Sequence, residues 1–369
     1  MNILIQLAHP AQFHLFKNTA KELVAHGHQV HFIIKSKDIL EQLLEELELP
    51  YCNILPQSHR KNAVGMALDM LIRDWRILRY AIRHKIDILL GSPVELAHVG
   101  WLLRRHRINF GEDDAAIVMP YIRLGGHFMQ TYLTPVSCNI GPLEPKAIHY
   151  QGFHKLAYLH PNRFIPDRCV VEKYISLQKP YFLLRFAELK AYHDVRANAQ
   201  GITSEIAQNL IDVLLPHGDV YITSERELEP QFERFRLRIN PLDIHHVMAF
   251  ASLYIGDSQS MAVEAAMLGV PSIRFNDFVG KIGVLEELEQ KYELTVGISS
   301  ECPEQLYSVV NEWLTIDNLK DVFNKRRQRM LGDKIDVTAF FTWFIENYPM
   351  SKRVIRDNPG YQMRFGVSQ

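Results

Sequence analysis

Cysteine is scarce in this chain: 369 residues hold four, Cys52, Cys138, Cys169 and Cys302, far apart and in no Cys-x-x-Cys pair. That excludes a disulfide framework or a cysteine-based metal site and predicts isolated thiols in a reducing compartment. An excess of one charge is missing as well. The 41 Lys+Arg balance 42 Asp+Glu, so net charge draws the chain toward no nucleic acid. No stretch reaches the roughly 18 uninterrupted apolar residues of a membrane span. The start MNILIQLAHP has no basic leader, and its apolar run stops at His9-Pro10. The expectation is a soluble cytoplasmic protein. Disordered and low-complexity compositions are excluded too, since 47% hydrophobic and 22% charged residues are ordinary for a globular protein. A single core stops growing at roughly 250–300 residues, so the length predicts two domains.

What is present is an alternation of short apolar runs and amphipathic stretches. Strands are predicted at Asn2–Leu7, Gln29–Ile34, Tyr51–Leu55, Ile86–Leu90 and Ile108–Phe110, with helices between them at Phe13–Gly27, Asp38–Glu48, Ala63–His84 and Val94–Arg105. Short connectors between alternating elements imply parallel βαβ units and a doubly wound sheet. The proline- and aromatic-rich stretch Met119–Asp167 interrupts the rhythm and reads as an ordered interdomain crossing. The alternation restarts with strands at Tyr181–Phe186, Val220–Thr223, Arg236–Ile239, Leu253–Ile255, Ser272–Phe275 and Leu294–Val296. Helices are predicted at Ser204–Leu215, Leu242–Phe250, Ser260–Leu268, Ile282–Lys291, Glu304–Leu314, Asn318–Met330 and Val337–Glu346. The expected organisation is an N-terminal Rossmann-like domain over 1–167 with its crossing, a C-terminal one over 168–346 and a tail over 347–369. Two such halves facing across a cleft hold a ligand at the carboxyl ends of their strands.

The most specific local pattern is Gly256-Asp-Ser-Gln-Ser-Met-Ala-Val-Glu264, where a strand ends and a helix begins. A helix start presents free N–H groups and a positive dipole end to an anion, and Ser258 and Ser260 add hydroxyls. Glu264, on an otherwise apolar face, suits ribose hydroxyls. The same residues also read as a plain helix cap. The run GDSQSMAVEAAMLGVPSIR resembles the nucleotide-sugar signature of GT-B-type enzymes, which include the non-hydrolysing UDP-N-acetylglucosamine 2-epimerases. Asp257, Ser258, Glu264, Ala265, Leu268, Gly269 and Pro271 match, while Gln259 and Ser260 replace the usual glycines. The chain also resembles an uncharacterised bacterial family of that fold through HPAQFHLFKN, Gly152, Leu156–Pro161, Phe164-x-Pro-Asp167, Arg185 and Tyr192-His-Asp194. The fold this implies is GT-B-like α/β: two doubly wound Rossmann-like domains facing an interdomain cleft.

Other candidates also sit at predicted strand ends. His9 and His14 follow the first strand and suit an acceptor base, or a helix cap and packing. Glu112, Asp113 and Asp114 form an acidic run in which mutual repulsion predicts a raised pKa and a usable acid or base. Glu112 resembles a Glu of the 2-epimerases, but Leu90-Gly91-Ser92 stands where those enzymes carry His-Gly-Asp. Arg185 suits a diphosphate, with His193 and Asp194 orienting it. Ser224-Glu225 is placed to touch the base or ribose, and Asn276-Asp277 the sugar. The basic clusters Lys325–Arg327, Arg329, Lys352-Arg353 and Arg356 suit a solvated helix face or a peripheral contact with anionic lipid.

These residues lead to an expected nucleotide-diphosphate-sugar-dependent glycosyltransferase, serving bacterial surface polysaccharide or glycoconjugate synthesis. The acceptor is of unknown, lipid-linked or other, class, and the location is cytoplasmic or peripheral at the inner membrane face. The alternatives are a non-hydrolysing UDP-sugar 2-epimerase, which Ser92 argues against, and a non-catalytic sugar-nucleotide-binding protein. The nucleotide sugar is a substrate; no cofactor, metal or nucleic acid is called for.

Overall fold

A computed structural model of the chain describes residues 1–35, 40–46, 49–55, 63–187 and 201–366. It divides into two compact units, the first formed by Met1–Arg163 with Lys334–Gln369 and the second by Phe164–Asp333.

In the first unit seven strands pair in parallel: β1 (Asn2–Leu7), β2 (Gln29–Lys35), β3 (Tyr51–Leu55), β4 (Ile88–Leu90), β5 (His106–Phe110), β6 (Thr131–Pro135) and β7 (Ala147–Tyr150). Their order is β3-β2-β1-β4-β5-β6-β7. Ile3, Leu4, Ile5 and Leu7 are all fully buried, as expected of a parallel sheet covered on both faces. The chain winds outward from β1 to β3, then returns to lay β4 on the other side of β1. The carboxyl ends of β1 and β4 therefore part at a switch point, where such folds bind ligands. Gly91 follows β4 with φ +141, and a Cβ there would meet the Gln6 carbonyl oxygen at 2.8 Å. Only glycine fits that bend.

The second unit holds a five-stranded parallel sheet of β8 (Tyr181–Phe186), β9 (Asp219–Ser224), β10 (Leu253–Gly256), β11 (Ser272–Phe275) and β12 (Val296–Ile298), ordered β12-β11-β10-β8-β9. Its switch point lies between β8 and β10. Arg185, Gly256, Arg274 and Gly297 are in register across β8, β10, β11 and β12. Each glycine makes room for an arginine: a Cβ on Gly256 would stand 2.8 Å from Arg185 Cβ, and one on Gly297 2.8 Å from Arg274 Nη2.

Three differences from the sequence reading have physical causes. Most of Met119–Asp167 belongs to the first unit, to which it supplies β6 and β7, two short strands masked by Pro135 and by proline-rich connectors, and the passage to the second unit falls only at its end, after Arg163. The helix Val337–Glu346 and the following tail join the first unit. Arg163 bonds Asp336 at 2.8 Å and also Glu22, and Thr342 Oγ1 donates to Glu22 at 2.7 Å. The tail then covers the open edge of β7, with Gln151 N donating to Gln362 Oε1 at 2.7 Å and Ile335 N to Gln151 O at 2.8 Å. Arg236–Ile239 forms no strand, only an isolated bridge from Arg236 to Ile222.

Candidate functional site

In the second unit the helix Gln259–Leu268 starts directly beyond β10. Ser258 caps it, its hydroxyl accepting from Met261 N at 3.5 Å, and Gly269 ends it at φ 73. The first N–H groups of such a helix have no intrahelical partner, and the dipole favours an anion there. Ser260 lies in that first turn, half-buried. Arg185, across the switch point on β8, donates through Nη2 to Glu225 Oε1, while its buried Nε has no hydrogen-bond partner. Arg185 is in register with Gly256, the last residue of β10 before that helix.

Asp257 is turned the other way. Its carboxylate accepts from Ala187 N at 2.6 Å and from Ile202 N at 3.2 Å, so it holds these two backbone positions together. Burial pushes its pKa up to about 6 even though those donors favour the anion. Glu264 is buried on the helix face, with Oε1 3.4 Å from Nε2 of His245, itself buried on the helix Ile244–Phe250. The Ser224 hydroxyl is spent locally, donating to Arg226 O at 2.7 Å and accepting from Arg226 N at 3.1 Å. Asn276 is fully buried and accepts from Phe278 N at 3.0 Å, and Asp277 accepts from Ser300 Oγ. His193 and Asp194, with Tyr192, lie outside the described residues.

In the first unit, His9 caps the helix Pro10–Ala25, its Nδ1 accepting from Ala11 N at 3.2 Å. The residue itself is exposed. His14, one turn on, is buried with its ring 5.2 Å from that of Tyr158 and 5.3 Å from that of Phe13.

Glu112, directly after Gly111 at the end of β5, is held by the segment following β7. Its Oε1 accepts from His154 N at 2.6 Å and its Oε2 from Lys155 Nζ at 2.8 Å. Burial alone would raise its pKa, but Lys155 and His154 outweigh that and hold it below the ordinary value. The rise expected from carboxylate repulsion does not occur at Glu112. Asp113 is exposed, and Asp114 is engaged by Asn139 N at 2.7 Å. His154 stacks on Tyr150 at 6.5 Å, and burial lowers its pKa to about 4, which keeps it neutral around Glu112. Ser92, at the end of β4, donates its hydroxyl to Phe110 O at 2.5 Å.

The basic clusters divide between the units. Lys325–Arg327 and Arg329 ride the helix Leu319–Asp333, where Arg326 pairs with Glu293 at 2.7 Å and Arg327 Nε donates to Met267 O at 2.5 Å. Lys352, Arg353 and Arg356 are on the helix Met350–Asp357, with Lys352 bonding Gln130 O at 2.6 Å and Arg356 bonding Pro145 O at 2.7 Å. Among the described residues no three His, Cys, Asp or Glu side chains gather as a metal site, and no helix is long and apolar enough to cross a membrane.

Sequence reasoning missed Lys155, His154 and His245. The signal for the first two was a His-Lys pair two residues after Gly152, in a stretch read as a crossing. For His245 it was a polar residue on the buried face of an apolar helix.

No family model matches the chain, and no curated protein matches it in sequence. Solved structures do match it. A spinosyn rhamnosyltransferase complexed with thymidine diphosphate has TM-score 0.61 and 14% identity, covering 94% of this chain and 100% of that one. Acinetobacter baumannii MurG has TM-score 0.58 and 15% identity, covering 94% and 99%. The UDP-GlcNAc 2-epimerase of Neisseria meningitidis bound to UDP-GlcNAc has TM-score 0.58 and 13% identity, covering 89% and 98%. At such identities the likeness is one of fold: the chain has the GT-B fold of nucleotide-sugar glycosyltransferases and UDP-GlcNAc 2-epimerases.

Proposed function

We propose that this protein is a glycosyltransferase whose second unit binds a nucleotide-diphosphate sugar and whose first unit binds the acceptor. The helix start at Ser258–Ser260 and the Arg185 guanidinium receive the diphosphate. Glu264, positioned by His245, receives the ribose. In the reaction an acceptor hydroxyl oxygen attacks the anomeric carbon and the bond from that carbon to the diphosphate oxygen breaks. The nucleoside diphosphate leaves with the electron pair, and the hydroxyl proton passes to the ionised Glu112. Arg185 and the helix dipole stabilise the departing charge without any metal. His9, exposed at the start of the helix Pro10–Ala25, contacts the acceptor.

One observation favours transfer over epimerisation. Elimination and re-addition of a nucleotide at the sugar need several acid/base groups around the ring. At the β4 end of the first sheet Ser92, tied to Phe110 O, stands where a carboxylate would be needed, and Glu112 at the β5 end is already clamped by Lys155.

A thermal-shift screen against UDP, GDP, CDP, dTDP and their common sugars tests the donor site. A ligand at 100 times its Kd adds about 2.7 kcal/mol to the folded state. One nucleotide is expected to shift the melting temperature, and the shift should disappear in Arg185→Ala. No shift with any of them overturns the reading. If a nucleotide sugar binds and is converted alone to its C2 epimer, the epimerase reading replaces transfer.

A further inference from the structure

The helix Ala63–Arg83 is apolar on two faces. One face enters the core through Ile77 and Ala81. The other carries Leu68, Leu71, Trp75 and Ile82 at spacings of three, four and seven residues, so they share one stripe. Leu71, Trp75 and Ile82 are 57–60% exposed. The stripe continues onto the neighbouring helix Val94–Leu102 and the end of the helix Met119–Leu124, where Trp101, Leu102 and Leu124 are 55–59% exposed. The elements are joined: Asp74 pairs with His98 at 3.0 Å, His98 Nε2 lies 3.2 Å from Leu124 O, and Trp101 packs edge-on to Phe128 at 5.4 Å. A continuous apolar surface of this kind marks an interaction site.

Charge identifies the occupant. The exposed ionised groups around the stripe are cations: Arg79, which lies over the Trp75 ring at 5.6 Å, and Arg83, Arg104, Arg105 and Arg123. The carboxylates of the two helices are withdrawn, Asp69 and Glu95 being buried and Asp74 ion-paired to His98. A second copy of the chain docking here by two-fold symmetry would set arginines against their own images, with no exposed carboxylate among the described residues of these two helices to meet them. A bilayer of anionic phospholipid offers the complement, acyl chains for the apolar stripe and phosphates for the arginines. Two tryptophans in an apolar field are also suited to an interface.

We infer that this face of the first unit, Leu71–Ile82 with Trp101 and Leu102, docks onto an anionic membrane surface. It replaces the C-terminal basic clusters as the membrane-facing element, since several of those side chains are engaged within the fold. Docking stands apart from the donor site and needs no nucleotide.

The test uses the full chain and sucrose-loaded vesicles of phosphatidylcholine alone or mixed equally with phosphatidylglycerol. The protein is expected to sediment with the mixed vesicles and to show a blue shift of tryptophan emission. The double substitution Leu71→Asp/Ile82→Asp should abolish both while leaving the thermal transition and any nucleotide shift in place. Arg79→Gln/Arg83→Gln should weaken binding about fivefold for each charge removed. Failure to bind the mixed vesicles overturns the inference. So does a dimer in sedimentation equilibrium that Leu71→Asp/Ile82→Asp dissociates, because the stripe would then be a subunit contact. A negative nucleotide screen would leave the vesicle result standing, so the two readings fail separately.

Discussion

At the scale of single residues, the clamp on Glu112 makes two sharp expectations. Lys155 is the cation that most strongly counters the burial of Glu112. Lys155→Met is expected to let that carboxyl rise, moving the acid limb of the rate–pH profile to higher pH, whereas Glu112→Gln should remove turnover and leave nucleotide binding intact. His154 bears on stability instead. Its pKa is about 4 in the fold against 6.5 unperturbed, so the folded state binds fewer protons than the unfolded chain between those values. Stability is then complete above that window and falls as pH drops through it, by about 3–4 kcal/mol at about 1.4 per unit. His154→Phe keeps a ring against Tyr150 and deletes the titration. Its urea midpoints at about pH 7 and about pH 5 should lie closer together than those of the unaltered protein. Asp257 works in the opposite sense. Raised to about 6, it contributes stability below its unfolded pKa that is lost as pH rises through about 6, which makes the difference between variant and parent the quantity to read.

At the scale of elements, register explains why certain positions admit one residue type. A Cβ on Gly256 would lie 2.5 Å from Tyr254 Oη, 2.8 Å from Arg185 Cβ and 3.0 Å from Arg185 O. Gly256→Ala is expected to cost about 1–3 kcal/mol by overpacking, and to weaken the nucleotide shift because Arg185 is what must move. Calorimetry with and without nucleotide reads both effects. Asp336 is another such point. It caps the helix Val337–Glu346 through Ala339 N at 3.1 Å while receiving Arg163 at 2.8 Å. Asp336→Ala removes the cap and one of the two carboxylates on Arg163, which keeps Glu22, and should cost about 1–3 kcal/mol, seen as a lowered denaturant midpoint with an unchanged donor site.

At the scale of the whole molecule, the chain leaves the first unit after Arg163 and comes back at Lys334. The last 36 residues are therefore structural members of the first unit. Phe341 meets Phe110 at 4.8 Å, and Tyr348 Oη bonds Thr131 at 2.9 Å. A chain ending at Asp333 is expected to lose cooperative unfolding of the first unit and to be cleaved rapidly by protease in β6 and β7. If such a chain instead gave the parent's proteolysis pattern, the returning segment would be dispensable.

By itself the sequence determined the alternation of strand and helix, because buried parallel strands such as Asn2–Leu7 and Tyr181–Phe186 read as continuous apolar runs. It also determined the helix start at Ser258, because a cap is a local signal. It placed Glu112, Arg185 and Gly256 at strand ends for the same reason. Only tertiary structure decided which way those side chains turn. Glu112 is ionised because residues 154 and 155, more than forty positions on, close over it. Asp257 is committed to backbone donors at 187 and 202 instead of a ligand. The short strands β6 and β7, the return of the C-terminal helices and the exposure of a second apolar face on Ala63–Arg83 all depend on contacts between distant segments. Local periodicity shows that a face is apolar; packing alone decides whether it is covered.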